Sequence, residues 1–319
     1  MRILNATSEY KQEAKFLAVT LGSFDGVHLG HRELLRRTRQ AADEAGGLAM
    51  ALTFEPHPMK VLSDRPPQLL QTLEEKRRAM AEADMDYLLE FPFDREAAAQ
   101  SPEDFVRCHL HQCLGADLVI VGFNYRFGAR GAGDAALLQR LGQQFGIRVE
   151  IVPPCRCELG VVSSSLIRSL VAEGRLREAN ALLGREYVLS GEVCHGRQLG
   201  RQLGFPTANI PAAEGMLLPA FGVYAARAEC GDRVYPAVVN VGLRPTVTGG
   251  DDDLLPTIEA HCPGISEDFY GRRMRLRFVG EIRREQKFAS LALLKEQIAA
   301  DCRTALDMLG LADDEGEKL

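Results

Sequence analysis

Residues 16–31 read Phe16-Leu17-Ala18-Val19-Thr20-Leu21-Gly22-Ser23-Phe24-Asp25-Gly26-Val27-His28-Leu29-Gly30-His31. The apolar run from Phe16 to Leu21 predicts a buried strand. Gly22 and Gly26 then let the backbone turn and come close to a ligand. His28 and His31 stand three apart where a helix begins, so their rings share one face. A helix start offers unpaired N–H groups and the positive end of its dipole to a phosphate. Two imidazoles added there can donate hydrogen bonds to charge that builds on phosphoryl oxygens in a transition state.

Outward from this stretch, strand and helix patterns alternate as far as Leu183. Helices are expected over Leu29–Ala45, Leu73–Glu82, Asp134–Phe145, Ser164–Glu173 and Arg175–Leu183. Strands are expected over Leu48–Phe54, Tyr87–Phe91, Asp117–Gly122 and Arg148–Val152. Ser101-Pro102-Glu103-Asp104 reads as a capped helix start. Such alternation implies an α/β fold with a parallel sheet covered on both faces, whose ligands bind at the carboxyl ends of strands. The Gly22–His31 turn, the Glu55-Pro56-His57-Pro58 loop and the loop after Gly122 all leave such ends.

After Gly184 the pattern changes to short strands punctuated by Gly and Pro, with a helix again only at Leu291–Leu309. That predicts a small antiparallel β-barrel with a C-terminal helix. The division expected is 1–184 and 185–319. The acidic tail Asp313–Leu319 reads as disordered.

A net charge of −6 argues against a broad basic surface for nucleic acid, while leaving room for one local phosphate pocket. No apolar run approaches the roughly 18 residues of a membrane span, and the first residues lack a signal-peptide core. A cytoplasmic protein is expected, its eight cysteines free thiols. Cys108-His109-Leu110-His111-Gln112-Cys113 falls inside a helical pattern and reads as packing rather than as a metal site. Gly131-Ala132-Gly133 approximates a dinucleotide fingerprint, but no strand opens directly into it, so it reads as a loop before a helix.

Three further motifs carry chemistry. Val162-Ser163-Ser164-Ser165-Leu166-Ile167-Arg168 starts a helix with hydroxyls and a cation suited to a triphosphate. Gly196-Arg-Gln-Leu-Gly200-Arg201-Gln-Leu-Gly204-Phe205-Pro206-Thr207-Ala208-Asn209 is glycine-rich and basic, and such loops wrap phosphate with backbone N–H groups. Thr207 and Asn209 lie two apart on one side of an extended chain, hard oxygen donors fit for the Mg²⁺ that ATP carries. Thr257-Ile258-Glu259-Ala260-His261 places a carboxylate, a candidate general base, on a strand.

Together these stretches resemble the bacterial bifunctional riboflavin kinase/FAD synthetase family. The turn is similar to its Gly-x-Phe-Asp-Gly-Val-His-x-Gly-His signature, and Pro206-Thr207-Ala208-Asn209 is similar to its kinase signature. The resemblance implies a Rossmann-like nucleotidylyltransferase domain followed by a riboflavin kinase-like barrel. It implies that His28, His31 and Glu259 are catalytic. Gly22, Ser23, Phe24, Asp25, Gly26, Pro56, Pro58, Asn124, Ser163, Ser164, Ser165 and Arg168 would hold FMN and ATP in the first domain. Gly196, Gly200, Arg201, Gly204, Thr207, Asn209 and Arg283 would do so in the second, with Thr207 and Asn209 on Mg²⁺. ATP, riboflavin and FMN would be the partners, FAD the final product, with no nucleic acid and no membrane. Ser23, Lys60 and Cys262-Pro263-Gly264 depart from the family pattern. A kinase with a drifted first domain and a flavin-responsive regulatory protein are the alternatives; FMN alone, or no product, from riboflavin and ATP would distinguish them.

Overall fold

The structure, a computed structural model, describes residues 1–195, 200, 204–245 and 254–311. The expected tail Asp313–Leu319 lies outside them. The chain divides into two compact units, Met1–Ser164 and Ser165–Leu319.

The first unit has six parallel strands: β1 (Arg2–Leu4), β2 (Leu17–Leu21), β3 (Leu48–Glu55), β4 (Tyr87–Pro92), β5 (Leu118–Gly122) and β6 (Arg148–Val152). Their spatial order is β1-β4-β3-β2-β5-β6, and every pairing is parallel. The order reverses at β2, so the crevice at the switch point opens beside the Gly22–His31 turn.

β2 is buried throughout because both sheet faces are covered. Leu17, Val19 and Leu21 enter one core with Met50, Leu52, Val119 and Val121. Ala18 enters the other with Ala49, Ala51 and Ile120. Helix α1 (Leu29–Ala45) covers this second face with Leu34, Leu35 and Ala42, at one-face helical spacing, and ends on Gly46 at φ 62°. Helix α2 (Leu73–Glu82), capped by Thr72, adds Ala79 and Met80. Helix α3 (Ala135–Phe145), capped by Asp134, covers the first face with Leu138 and Leu141.

Ser101 caps a helical turn, Pro102–Asp104, as its sequence predicts, but the coil then widens to a π-helix over Phe105–Cys113. The ring nitrogens of His109 meet Thr7 Oγ1 and Gln100 Nε2, each at 3.1 Å, so this histidine is satisfied within the core. Gly133-Asp134 pairs with Arg126-Phe127 in a small hairpin, and a Cβ on Gly133 would lie 2.6 Å from the Phe127 ring. That close packing explains the glycine.

The second unit holds helices α4 (Ser164–Ala172, from its second residue) and α5 (Leu176–Leu183) and a curled antiparallel sheet. Its strands are β7 (Tyr187–Glu192), β8 (Ala208–Ile210), β9 (Gly222–Cys230), β10 (Arg233–Pro245), β11 (Leu254–His261) and β12 (Arg273–Arg284), in the order β7-β12-β9-β10-β11-β8. The two edge strands approach: Cys194, just past β7, bridges to Asn209 of β8. Helix α6 (Leu291–Met308) packs Cys302 and Ala305 on Val223, Ala225 and Val238.

The sequence places the boundary at Gly184-Arg185, whereas the compact units divide at Ser164-Ser165. The reason is packing: Arg284 Nη2 donates to Glu173 O at 2.6 Å. Asn180 joins α5 to the sheet twice, accepting from Tyr187 N and donating to Phe278 O, each at 2.8 Å.

Candidate active sites

The turn after β2 is held from below by its own backbone partners. Gly22 N donates to Leu52 O at 3.1 Å, and Thr53 Oγ1 to Ser23 O at 3.2 Å. Gln71 Nε2 donates to Phe24 O at 2.7 Å, and Ser164 Oγ to Asp25 O at 2.9 Å. Asp25 is buried, and its Oδ1 accepts from Leu70 N at 2.9 Å. These bonds hold Phe24 at φ 48° and Val27 at φ 40°. A β-branched residue there is strained, and strain of this kind gathers at functional sites.

His28 caps α1: its Nδ1 accepts from His31 N at 3.3 Å. The two rings stack with centroids 3.7 Å apart and planes 15° off parallel. Phe24, fully buried, meets the His31 ring edge-on at 5.3 Å. A Cβ on Gly30 would lie 3.2 Å from the His28 ring, and one on Gly22 3.2 Å from the Phe24 ring, so both positions favour glycine for close packing. His31 Nδ1 is buried and has no hydrogen-bond partner among the described residues. Burial first, then His28, then Lys76 hold the His31 imidazole well below its ordinary pKa, so it is neutral at physiological pH.

Lys76 is the functional candidate that sequence reading misses here. It lies among Glu74, Glu75, Arg77 and Arg78, a run that reads as a solvated helix face, yet the structure buries it. Its Nζ donates to Thr53 Oγ1 at 3.2 Å.

The remaining first-domain candidates lie outside this turn. Pro56 is exposed, and Pro58 opens a helical turn, Pro58–Leu62, capped by His57. Asn124 is exposed beyond β5. Ser163 is half-buried, Ser165 is exposed, and both Ser165 and Arg168 lie in the second unit on α4.

In the second unit one row across the sheet gathers several of the candidate residues. Asn209 pairs with Glu259, Glu259 with Asn240, Asn240 with Val223, and Val223 with Arg283. Residues directly opposite in antiparallel strands share a face. Glu259, Asn240, Val223 and Arg283 accordingly line one cavity of about 670 Å³, with Thr207, His261 and Asp301. Asn209 is buried, and its Oδ1 has no hydrogen-bond partner among the described residues. A buried carbonyl oxygen left unpaired is unfavourable unless a ligand completes it.

Arg283 is fixed rather than free. Its Nη2 lies 2.8 Å from Asp301 Oδ2, its Nε donates to the same carboxylate at 3.0 Å, and its guanidinium stands 5.6 Å from the Phe288 ring centroid. Pro206 O meets His261 Nδ1 at 2.8 Å, which pins the chain just before Thr207. Thr207 also borders a second cavity of about 270 Å³, lined by Cys262, Asp268, Phe269 and Tyr270. Burial pushes the Cys262 thiol up to about 12, so it is protonated and unreactive. A Cβ on Gly200 would lie 2.4 Å from Phe205 O, a close approach open only to glycine. Gly204 takes φ 89°. Gly196 and Arg201 lie outside the described residues.

Sequence reading misses Asn240 and Asp301. Asn240 had a signal, a lone amide inside Val-Val-Asn-Val, whereas Asp301 on a helix had none.

Comparison with known proteins matches two successive spans of the chain to two family models. The FAD synthetase family model matches residues 10–166, and the riboflavin kinase family model matches residues 183–309. The Escherichia coli K12 protein named bifunctional riboflavin kinase/FMN adenylyltransferase is 39% identical over 98% of each chain. The Bacillus subtilis protein of that name is 32% identical over 93% of each. A solved structure titled macrolide-efflux protein from Streptococcus pneumoniae superposes with a TM-score of 0.85 at 27% identity, covering 99% of each chain. No helix among the described residues is long and apolar enough to cross a membrane. With both family models matched in order and the relatives covered nearly end to end, the chain belongs to the bifunctional riboflavin kinase/FMN adenylyltransferase family.

Proposed function

We propose that the two activities are divided between the units, with Glu259 as the base of the kinase and the His28–His31 turn as the centre of adenylyl transfer. The observation that carries the kinase assignment is the row that sets Glu259 between Asn209 and Asn240 on the wall of one cavity. Glu259 takes the proton of the ribityl 5′-hydroxyl as that oxygen attacks the γ-phosphorus of ATP, and ADP leaves. Thr207 Oγ1 and Asn209 Oδ1 are the ligands for Mg²⁺, which supplies charge neutralisation at the phosphates when bound. The orphaned, buried Asn209 oxygen fits a cation.

In the first unit the FMN phosphate attacks the α-phosphorus of a second ATP, and pyrophosphate leaves. No covalent enzyme intermediate is needed. His28 and His31, at the start of α1, hold the phosphoryl oxygens with the helix N–H groups. The glycines and serines of the turns, with Pro56, Pro58 and Asn124, shape the walls for flavin and nucleotide. The functional boundary is put near Gly184-Arg185; one family model ends at residue 166 and the other begins at residue 183. A cytoplasmic setting accords with eight unpaired thiols.

The test is a time course of riboflavin, ATP and Mg²⁺ with the pure protein, products separated by chromatography, with and without a chelator. FMN should appear first, then FAD, and chelation should stop both. FMN that never proceeds to FAD would remove the adenylyl-transfer assignment of the first unit.

A further inference from the structure

A second feature of the first unit has no place in that scheme. Lys76 is 6% exposed. Its ammonium makes one hydrogen bond, to the neutral Thr53 hydroxyl, and no ion pair within 4.0 Å among the described residues. Of the three carboxylates near it, Asp25 accepts from Leu70 N, Glu90 accepts Arg77 in a two-pronged pair at 2.7 Å, and Glu55 acts on it without an ion pair. Taking an ammonium out of water without a paired carboxylate is strongly unfavourable, so folded proteins rarely keep one. Burial pulls the Lys76 pKa down, while Glu55 of β3, Asp25 of the turn and Glu90 of β4 pull it back.

What lies above the charge explains its retention. Thr53 Oγ1, which holds Nζ, also donates to Ser23 O, the first bend of the catalytic turn. The charge is felt at His31, whose other close titratable neighbour is the stacked His28. A fixed cation under a phosphate-binding turn is favourable once anionic phosphates arrive, and it needs no reorganisation when charge shifts to the leaving group.

We propose that Lys76 is a positioning residue for adenylyl transfer, the buried positive charge beneath the Gly22–His31 turn whose compensating anion is the polyphosphate of the bound nucleotide. This rests on the reading of the first unit as the adenylyltransferase. Lys76 acts through the Thr53–Ser23 link and through its field at His31, without touching the substrate.

The experiment is Lys76→Met in the full chain. Methionine matches the side-chain length and removes the charge. Conversion of FMN and ATP to FAD should lose about tenfold or more in kcat, within the range set by lost electrostatic stabilisation. Riboflavin phosphorylation should be unchanged in the same sample. Thermal stability should hold or rise, because a buried charge without an ion pair is gone. The His31 imidazole, followed by NMR titration, should gain a proton at higher pH than in the unaltered chain. FAD synthesis within twofold of the unaltered chain, or a melting temperature that falls in step with activity, would overturn the proposal. An unshifted His31 titration would do the same. If the unaltered chain makes no FAD, the adenylyltransferase reading fails, and the titration and melting results still decide whether Lys76 carries an unpaired charge to His31.

Discussion

In the first unit the proposed phosphate site is one unbroken piece of chain, Gly22 to His31, held in a strained bend at the end of a central parallel strand. In the second it is spread over five antiparallel strands, each giving one residue to the row Asn209, Glu259, Asn240, Val223 and Arg283. The first site depends on backbone conformation. Its proposed donors are N–H groups and two rings, with Gly30 close against the His28 ring and Gly22 close against Phe24. The second depends on register. A slip of one residue between β8 and β11 would turn the Asn209 and Glu259 side chains to opposite faces. One chain thus carries two ways of meeting ATP, which should fail independently and for different reasons.

The sharpest way to break that contrast is Glu259→Gln, which keeps the shape and removes the base. FMN formation should fall about 10²–10⁴-fold. FMN supplied directly should still become FAD. Loss of both reactions in a folded protein would show that the two sites are coupled.

His31→Ala is the converse. FAD formation from FMN should fall roughly 10²–10³-fold, the scale of a lost oxyanion donor. Riboflavin phosphorylation should be unaffected. Undiminished FAD synthesis would take His31 out of the site.

Thr207→Ala refines the sheet-built site. Riboflavin phosphorylation should drop about tenfold at limiting Mg²⁺ and recover partly at high Mg²⁺, since one weak oxygen ligand is lost. A Mg²⁺ dependence identical to that of the unaltered chain would separate Thr207 from the cation.

The smallest effect concerns α1 itself. The Arg36 guanidinium first, then Arg37, hold the Glu33 carboxyl down at about 2. A carboxyl lowered in the folded state contributes stability above its ordinary pKa and loses it as pH falls toward 2. Glu33 is about one-third exposed, so its contribution is about 1 kcal/mol or less. Glu33→Ala should lower the melting temperature slightly at pH 7, and the difference should vanish by pH 2. Adenylyl transfer at pH 7 should not change.

The same contrast governs how much the sequence alone reveals. The turn is legible because its residues are contiguous and each has a local reason: glycine for close approach, histidine as cap. Helix Leu29–Ala45 and strand Arg148–Val152 are found at the bounds their patterns predict. In the barrel Thr207, Asn209 and Glu259 are legible through their motifs, but Asn240 and Asp301 join them only through strand order and the docking of α6. Lys76 is hidden because charge on a helix ordinarily means solvent, and only the packing of α2 on the sheet contradicts that. Strands Arg2–Leu4 and Ala208–Ile210 are too short to show a period and exist through their neighbours. The boundary near 184 follows composition, whereas α4 and α5 go with the surface they pack on.

Asn180 gives that last point a practical edge. Its amide satisfies the first N–H of β7 and a carbonyl of β12 at once, so a helix lying before the barrel's first strand completes the barrel's own hydrogen bonding. Cutting at Gly184 would strip both groups of their partner and uncover Leu182 and Leu183. The portable module, for an engineer or for a recombination event that joins this barrel to another neighbour, is therefore the barrel with residues 165–184 still attached.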